Sequence, residues 1–151
     1  MAHAARFAAN AYASVDVATS VASASPHQLT LMLYDAALKS IGKAQMHMEA
    51  GRIAEKGNAI TMAIRTVDEG LNGTLDLSQG ELAHNLKSLY EYINSCLLKA
   101  NVRNDPALLA EARGLLAGMR DTWAAIAPVA EMPSVPMRMP GRTPSLGVAA
   151  V

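Results

Sequence analysis

Between Ser25 and Pro128 the apolar residues recur at spacings of three, four and seven, the period of a helix that buries one face. Four such stretches separate cleanly. The first opens at Ser25-Pro26-His27-Gln28, where Ser serves as N-cap, Pro suits the first helical position and Gln completes a capping box. Its inward stripe is Leu29, Leu33, Ala37, Ile41, Ala44 and Met48, with Leu31, Tyr34 and Leu38 widening the arc and Gly51 as the stop. The second carries Ile53, Ile60, Ile64, Val67, Leu71 and Leu75. Gly57, Gly70 and Gly73 weaken it, because an interior Gly costs roughly 1 kcal/mol relative to Ala. An irregular last turn is expected near Asn72-Gly73. Ser78-Gln79-Gly80 reads as the turn into a third helix, Glu81 to about Val102, with Leu82, Leu86, Leu89, Ile93, Leu97 and Ala100 facing inward. Tyr90, Asn94 and Asn101 fall along its flank beside Leu97. Asn104-Asp105-Pro106 then supplies a loop, an Asp N-cap and a Pro at the first position of a fourth helix. That helix carries Leu108, Ala112, Leu115, Met119, Trp123 and Ile126, and Pro128 ends it.

Short turns between four amphipathic helices predict an all-α fold, an antiparallel up-down four-helix bundle over residues 25–127. An N-terminal arm with room for a short extra helix precedes it (1–24), and a tail follows (128–151) that holds five of the seven prolines and is expected to be disordered. Composition agrees with helices: 51% of residues are hydrophobic but only 4% aromatic. A chain of 151 residues is sized for one core. With 13 basic and 13 acidic residues the formal net charge is zero, which argues against nucleic acid and anionic membrane as partners. No stretch approaches the roughly 20 apolar residues that span a bilayer, so no membrane insertion is expected. The Ala-rich N-terminus is broken by His, Arg, Asn and Asp, unlike a secretory signal. Cys96 is the single cysteine, which precludes an intramolecular disulfide or a Cys-based zinc site and fits a cytoplasmic setting.

Helical bundles can hold di-iron sites, but these need Glu-x-x-His on two helices, and only Glu81-Leu82-Ala83-His84 has that form. Glu81 fits the first turn of a helix, where its charge complements the dipole. No metal or other cofactor is expected. Ala83-His84-Asn85-Leu86-Lys87-Ser88 is similar to the phospho-accepting motif of histidine phosphotransfer domains over about six residues, with Ser88 where that family has Gly, so His84 is the alternative functional candidate. There is no Gly-rich phosphate loop, nucleophile elbow or inward pair of acids, and an enzyme is not expected. The remaining feature is apolar surface beyond the four stripes, suited either to a crowded core or to a groove that receives another chain's helix.

The ordered pieces Ser25-x-His27-Gln28-Leu29, Met32-Leu33-Tyr34-Asp35-Ala36, Asn85-Leu86-x-x-Leu89-Tyr90-x-Tyr92, Leu97-x-x-Ala100-Asn101-x-Arg103-Asn104-Asp105 and Asp121-x-Trp123 resemble the FliS family of flagellar export chaperones. The resemblance runs from about Tyr12 to Pro128. It implies a non-catalytic bundle in the cytoplasm that binds the C-terminal segment of flagellin, prevents its premature polymerisation, and keeps it competent for flagellar type III secretion. Delivery to the export gate protein is a further implication. On this reading Leu31, Tyr34, Leu38, Tyr90, Asn94, Leu97 and Asn101 line the partner groove, and Tyr12 and Val17 belong to an arm that covers it.

Overall fold

Ser25 caps the first helix as its sequence requires: its Oγ accepts from the Gln28 N–H at 3.1 Å while Gln28 Oε1 accepts from the Ser25 N–H at 3.1 Å. The computed structural model describes residues 23–126; Tyr12, Val17, most of the arm and the Pro-rich tail lie outside the described residues. Helix α1 (Pro26–Glu49) ends in a Schellman motif, with Arg52 N–H donating to His47 O at 2.9 Å and Gly51 N–H to Met48 O at 3.2 Å. Gly51 adopts φ +71°, the left-handed conformation this closure needs and a side chain disfavours. Helix α2 (Ile53–Arg65) follows directly, and α3 (Glu81–Arg103) and α4 (Pro106–Ala125) are joined by Asn104 in the left-handed region and by Asp105, whose Oδ1 accepts from Ala107 N–H at 2.9 Å. The expected all-α bundle is therefore what the described chain forms.

The second helix differs most from its expected course. Regular α geometry stops at Arg65 after 13 residues, and the chain continues as a π-helical turn (Thr66–Leu71) and two 3₁₀ turns (Asn72–Thr74 and Leu77–Gln79). Irregularity thus begins well before the expected Asn72-Gly73. Thr66 is fully buried and turns its hydroxyl back onto Met62 O at 2.8 Å, a local bond that competes with the helical ladder. Burial of Val67 and Leu71 in the core holds the widened turn in place.

Helix rotations also need correction at several positions. On α3 the buried line is Ala83, Tyr90, Ile93, Leu97 and Ala100, and Leu82 is 71% exposed. On α2 it is Lys56, Ile60 and Ala63, continued by Val67 and Leu71 of the π turn, with Ile53 59% exposed. On α4 Leu109, Ala112 and Leu116 form the centre, while Leu108, Leu115, Met119 and Trp123 pack at its edge and Ile126 is exposed. Ile53 and Leu82 stand in the first turns of their helices and Ile126 is the C-cap of α4, so each lies at an end of its expected stripe. Within the core, Leu33, Ile41, Ile60, Ile93, Leu97 and Leu116 are fully buried, each such side chain stabilising by roughly 1.5–3 kcal/mol.

Candidate functional site

Around the bundle α1 packs beside α2 and α4, and α3 beside α4 and α2, so the α1/α4 and α2/α3 seams lie on opposite sides. The two are built differently. Along α1/α4, three polar links run in antiparallel order: His27 with Trp123, Asp35 with Arg120, and Gln45 with Arg113. His27 Nε2 donates to Trp123 O at 2.9 Å, Trp123 Nε1 donates to His27 O at 3.1 Å, and the rings stack with centroids 5.2 Å apart. Arg120 Nε donates to Asp35 Oδ1 at 2.9 Å and Arg113 Nη1 to Gln45 Oε1 at 2.7 Å.

Across α2/α3 the seam rests on one buried cation. Lys56 donates to Asn101 O at 3.0 Å and to Asn104 Oδ1 at 3.1 Å, so its ammonium closes the C-terminal end of α3, where the helix dipole favours positive charge. Gly57 lies against Asn101: a Cβ there would sit 3.8 Å from Oδ1 and 3.9 Å from Nδ2. Farther along, Asn94 Nδ2 donates to Ile64 O at 3.3 Å just before the π turn, while Asn94 Oδ1 is shielded from solvent and has no hydrogen-bond partner. Flanking this polar line, Leu98 and Val102 are 57% and 77% exposed, and Ile53 shares the α2 face with Lys56 and Gly57 by its spacing.

The sequence candidates divide between these seams. Leu31 and Leu38 are half-buried on α1, and Asn94 and Asn101 are half-buried on α3 beside α2. Tyr34, Tyr90 and Leu97 are buried in the core between them. Only the two tyrosines bridge the bundle, their hydroxyls 2.7 Å apart on diagonally opposed helices, with rings tilted at 54°. Burial raises both phenols above the usual tyrosine range, Tyr90 further because it also faces Tyr34. The described candidates therefore do not line one continuous groove. Sequence reasoning missed Lys56, although its spacing from Ile60, Ala63 and Val67 placed it inward; a lysine is normally assigned to the surface. Met46, Leu98 and Val102 were missed as exposed apolar residues because nothing local distinguishes them from core positions.

His84 and Glu81 are both exposed on the first turns of α3, and no group of three or more His, Cys, Asp or Glu is placed to hold a metal among the described residues. No helix among them is long and apolar enough to cross a membrane.

Fold and seams together define an all-α bundle with exposed apolar side chains flanking a polar inter-helix line. The family model for flagellar protein FliS matches residues 8–130, and the chain belongs to that family. It is 44% identical over 121 residues to the flagellar secretion chaperone FliS of Salmonella typhimurium, covering 80% of this chain and 90% of that one. It is similar also to FliSB of Pseudomonas aeruginosa, named a flagellar secretion chaperone, at 39% over 116 residues (76% and 91% covered), and to FliS of Escherichia coli at 38% over 114 residues (75% and 84%).

Proposed function

We propose that this protein is a cytoplasmic flagellar export chaperone that binds the disordered C-terminal segment of flagellin, occupies its polymerising faces, and holds it ready for type III secretion. Membership of a family whose relatives are named flagellar secretion chaperones carries this reading. The exposed Ile53, Leu98 and Val102 support it, since apolar side chains clustered around a seam suit the apolar face of an incoming helix. Leu31, Leu38, Asn94 and Asn101 would touch the client from the two sides of the bundle. Tyr34, Tyr90 and Leu97 would set the shape of those sides from beneath. Tyr12 and Val17 would belong to the covering arm, and delivery would be to the export gate protein.

Calorimetry of the full chain with a peptide from the C-terminus of the cognate flagellin tests the proposal directly. Saturable binding at micromolar concentration or tighter is expected, about −8 kcal/mol or more favourable. Absence of heat and of any spectral change at high micromolar peptide would refute it.

A further inference from the structure

Outside the α2/α3 side, a second groove follows the lower half of the α1/α4 seam. It is open, about 870 Å³ in volume, and lined by Gly42 and Met46 with Lys39, Lys43 and Arg113 around it. Glu49 is the only carboxylate among its lining residues. No ion pair is made by Lys39, Lys43 or Arg113 among the described residues; Arg113 bonds only the neutral Gln45. Lys39 and Lys43 stand one helical turn apart, a spacing at which like charges repel, so the bundle itself gains nothing from the pair. The charge is local: the chain as a whole is neutral. Met46 is 63% exposed beside these cations, and an unbranched thioether adapts readily to varied apolar partners. A Cβ on Gly42 would meet nothing within 4 Å, so no packing within the bundle requires glycine there.

We infer that this groove is a docking site for an acidic amphipathic helix of a partner protein, separate from the α2/α3 side. The stretch from Lys39 to Glu49 spans about 16 Å at 1.5 Å per residue, room for three turns of a partner helix. Apolar side chains of that helix would meet Met46 over Gly42, and carboxylates on its shoulders would meet Lys39, Lys43 and Arg113. The groove has no aromatic side chain on which a base could stack, which disfavours single-stranded nucleic acid as its occupant. The inference rests on this groove alone and stands whether or not flagellin is the client.

The test titrates the full chain with a helical peptide of about 12 residues carrying Leu at core spacing and Glu on both shoulders, enough for three turns. The same peptide with Lys for Glu, a short single-stranded RNA and anionic vesicles are run beside it. The Glu peptide should bind about ten-fold or more tightly than the Lys peptide, more weakly as salt rises, with amide shifts confined to residues around Lys39, Lys43, Met46 and Arg113. The double variant K39E/K43E should reverse the preference, and Gly42→Leu should abolish binding while the fold by circular dichroism is kept and the urea midpoint does not fall, since replacing an interior helical Gly favours the helix. Equal binding of the two peptides, shifts elsewhere, or stronger binding of RNA or vesicles would overturn the proposal. Titration of the flagellin peptide into K39E/K43E separates the two readings: unchanged affinity is expected, and competition between flagellin and Glu peptides would overturn the claim of a separate site.

Discussion

The α1/α4 seam joins two long helices (24 and 20 residues) and the α2/α3 seam a short helix to a long one (13 and 23 residues), and the two are held by opposite means. α1/α4 is tied at three points along its length by half-exposed side chains, none of which is buried. α2/α3 depends on Lys56 at one end, buried and bonded to the last turn of α3, and on a single amide, Asn94, at the other. Distributed exposed links are individually weak but redundant; one buried cation is strong and irreplaceable, because its acceptors are left without a donor when it goes.

Removing Lys56 should therefore have the largest effect. Lys56→Met keeps the apolar stem but deletes two charge-assisted bonds, and should cost about 2–3 kcal/mol in urea unfolding with an unchanged slope. A loss no greater than that of the Arg120 variant described below would break the contrast between the seams.

The tyrosine pair that spans both sides comes next. Tyr34→Phe should cost about 1–2 kcal/mol, since the Tyr90 hydroxyl stays buried without its partner. The Tyr34→Phe, Tyr90→Phe double variant should cost less than the sum of the single ones, the mark of a shared bond. Because burial raises both phenol pKa values in the folded state, the unfolded chain loses these protons first as pH rises past about 10. The stabilisation is thus complete at neutral pH and is lost progressively above pH 10. Urea midpoints measured from pH 8 to 11 should fall in the native protein and fall less steeply in the double variant.

Gly57→Ala probes the same seam with the opposite sign. The added methyl makes ordinary contact with Asn101 and restores helix propensity, so a gain of about 0.5–1 kcal/mol is expected. If the flagellin segment lies along α2/α3, this variant should be more stable yet bind the peptide less tightly; unchanged affinity would place the client elsewhere. The smallest effect belongs to Arg120→Ala. Its ion pair with Asp35 is more than a third exposed on both sides, so its loss should move the urea midpoint least of these variants, and less still at high salt.

Much of this was legible in the chain itself. Ser25, Gln28, Gly51 and Asp105 mark helix ends through bonds to residues two or three positions away, and Pro106 through its fixed φ and missing N–H; such local chemistry survives unchanged into the fold. The number of helices and their antiparallel order followed from those marks and from short connections. The candidate site was harder to read. A residue at the edge of a stripe, such as Tyr90 or Leu98, keeps the same spacing whether its helix is rotated to bury it or to expose it; the rotation adopted leaves Tyr90 3% and Leu98 57% exposed.

Sequence alone determined where each helix starts, how α1 turns into α2 and α3 into α4, and that the product is an all-α bundle, because capping and hydrophobic period act over one or two turns. Only the tertiary structure decided that Lys56 goes inward, that α2 widens into a π turn after Arg65, that Tyr34 meets Tyr90 across the core, and that Lys39, Lys43 and Arg113 gather on one groove. Those outcomes depend on which helices face each other and at what rotation. No local signal encodes them: Lys56 and the end of α3 are 45 residues apart in sequence, and only packing brings them within bonding distance.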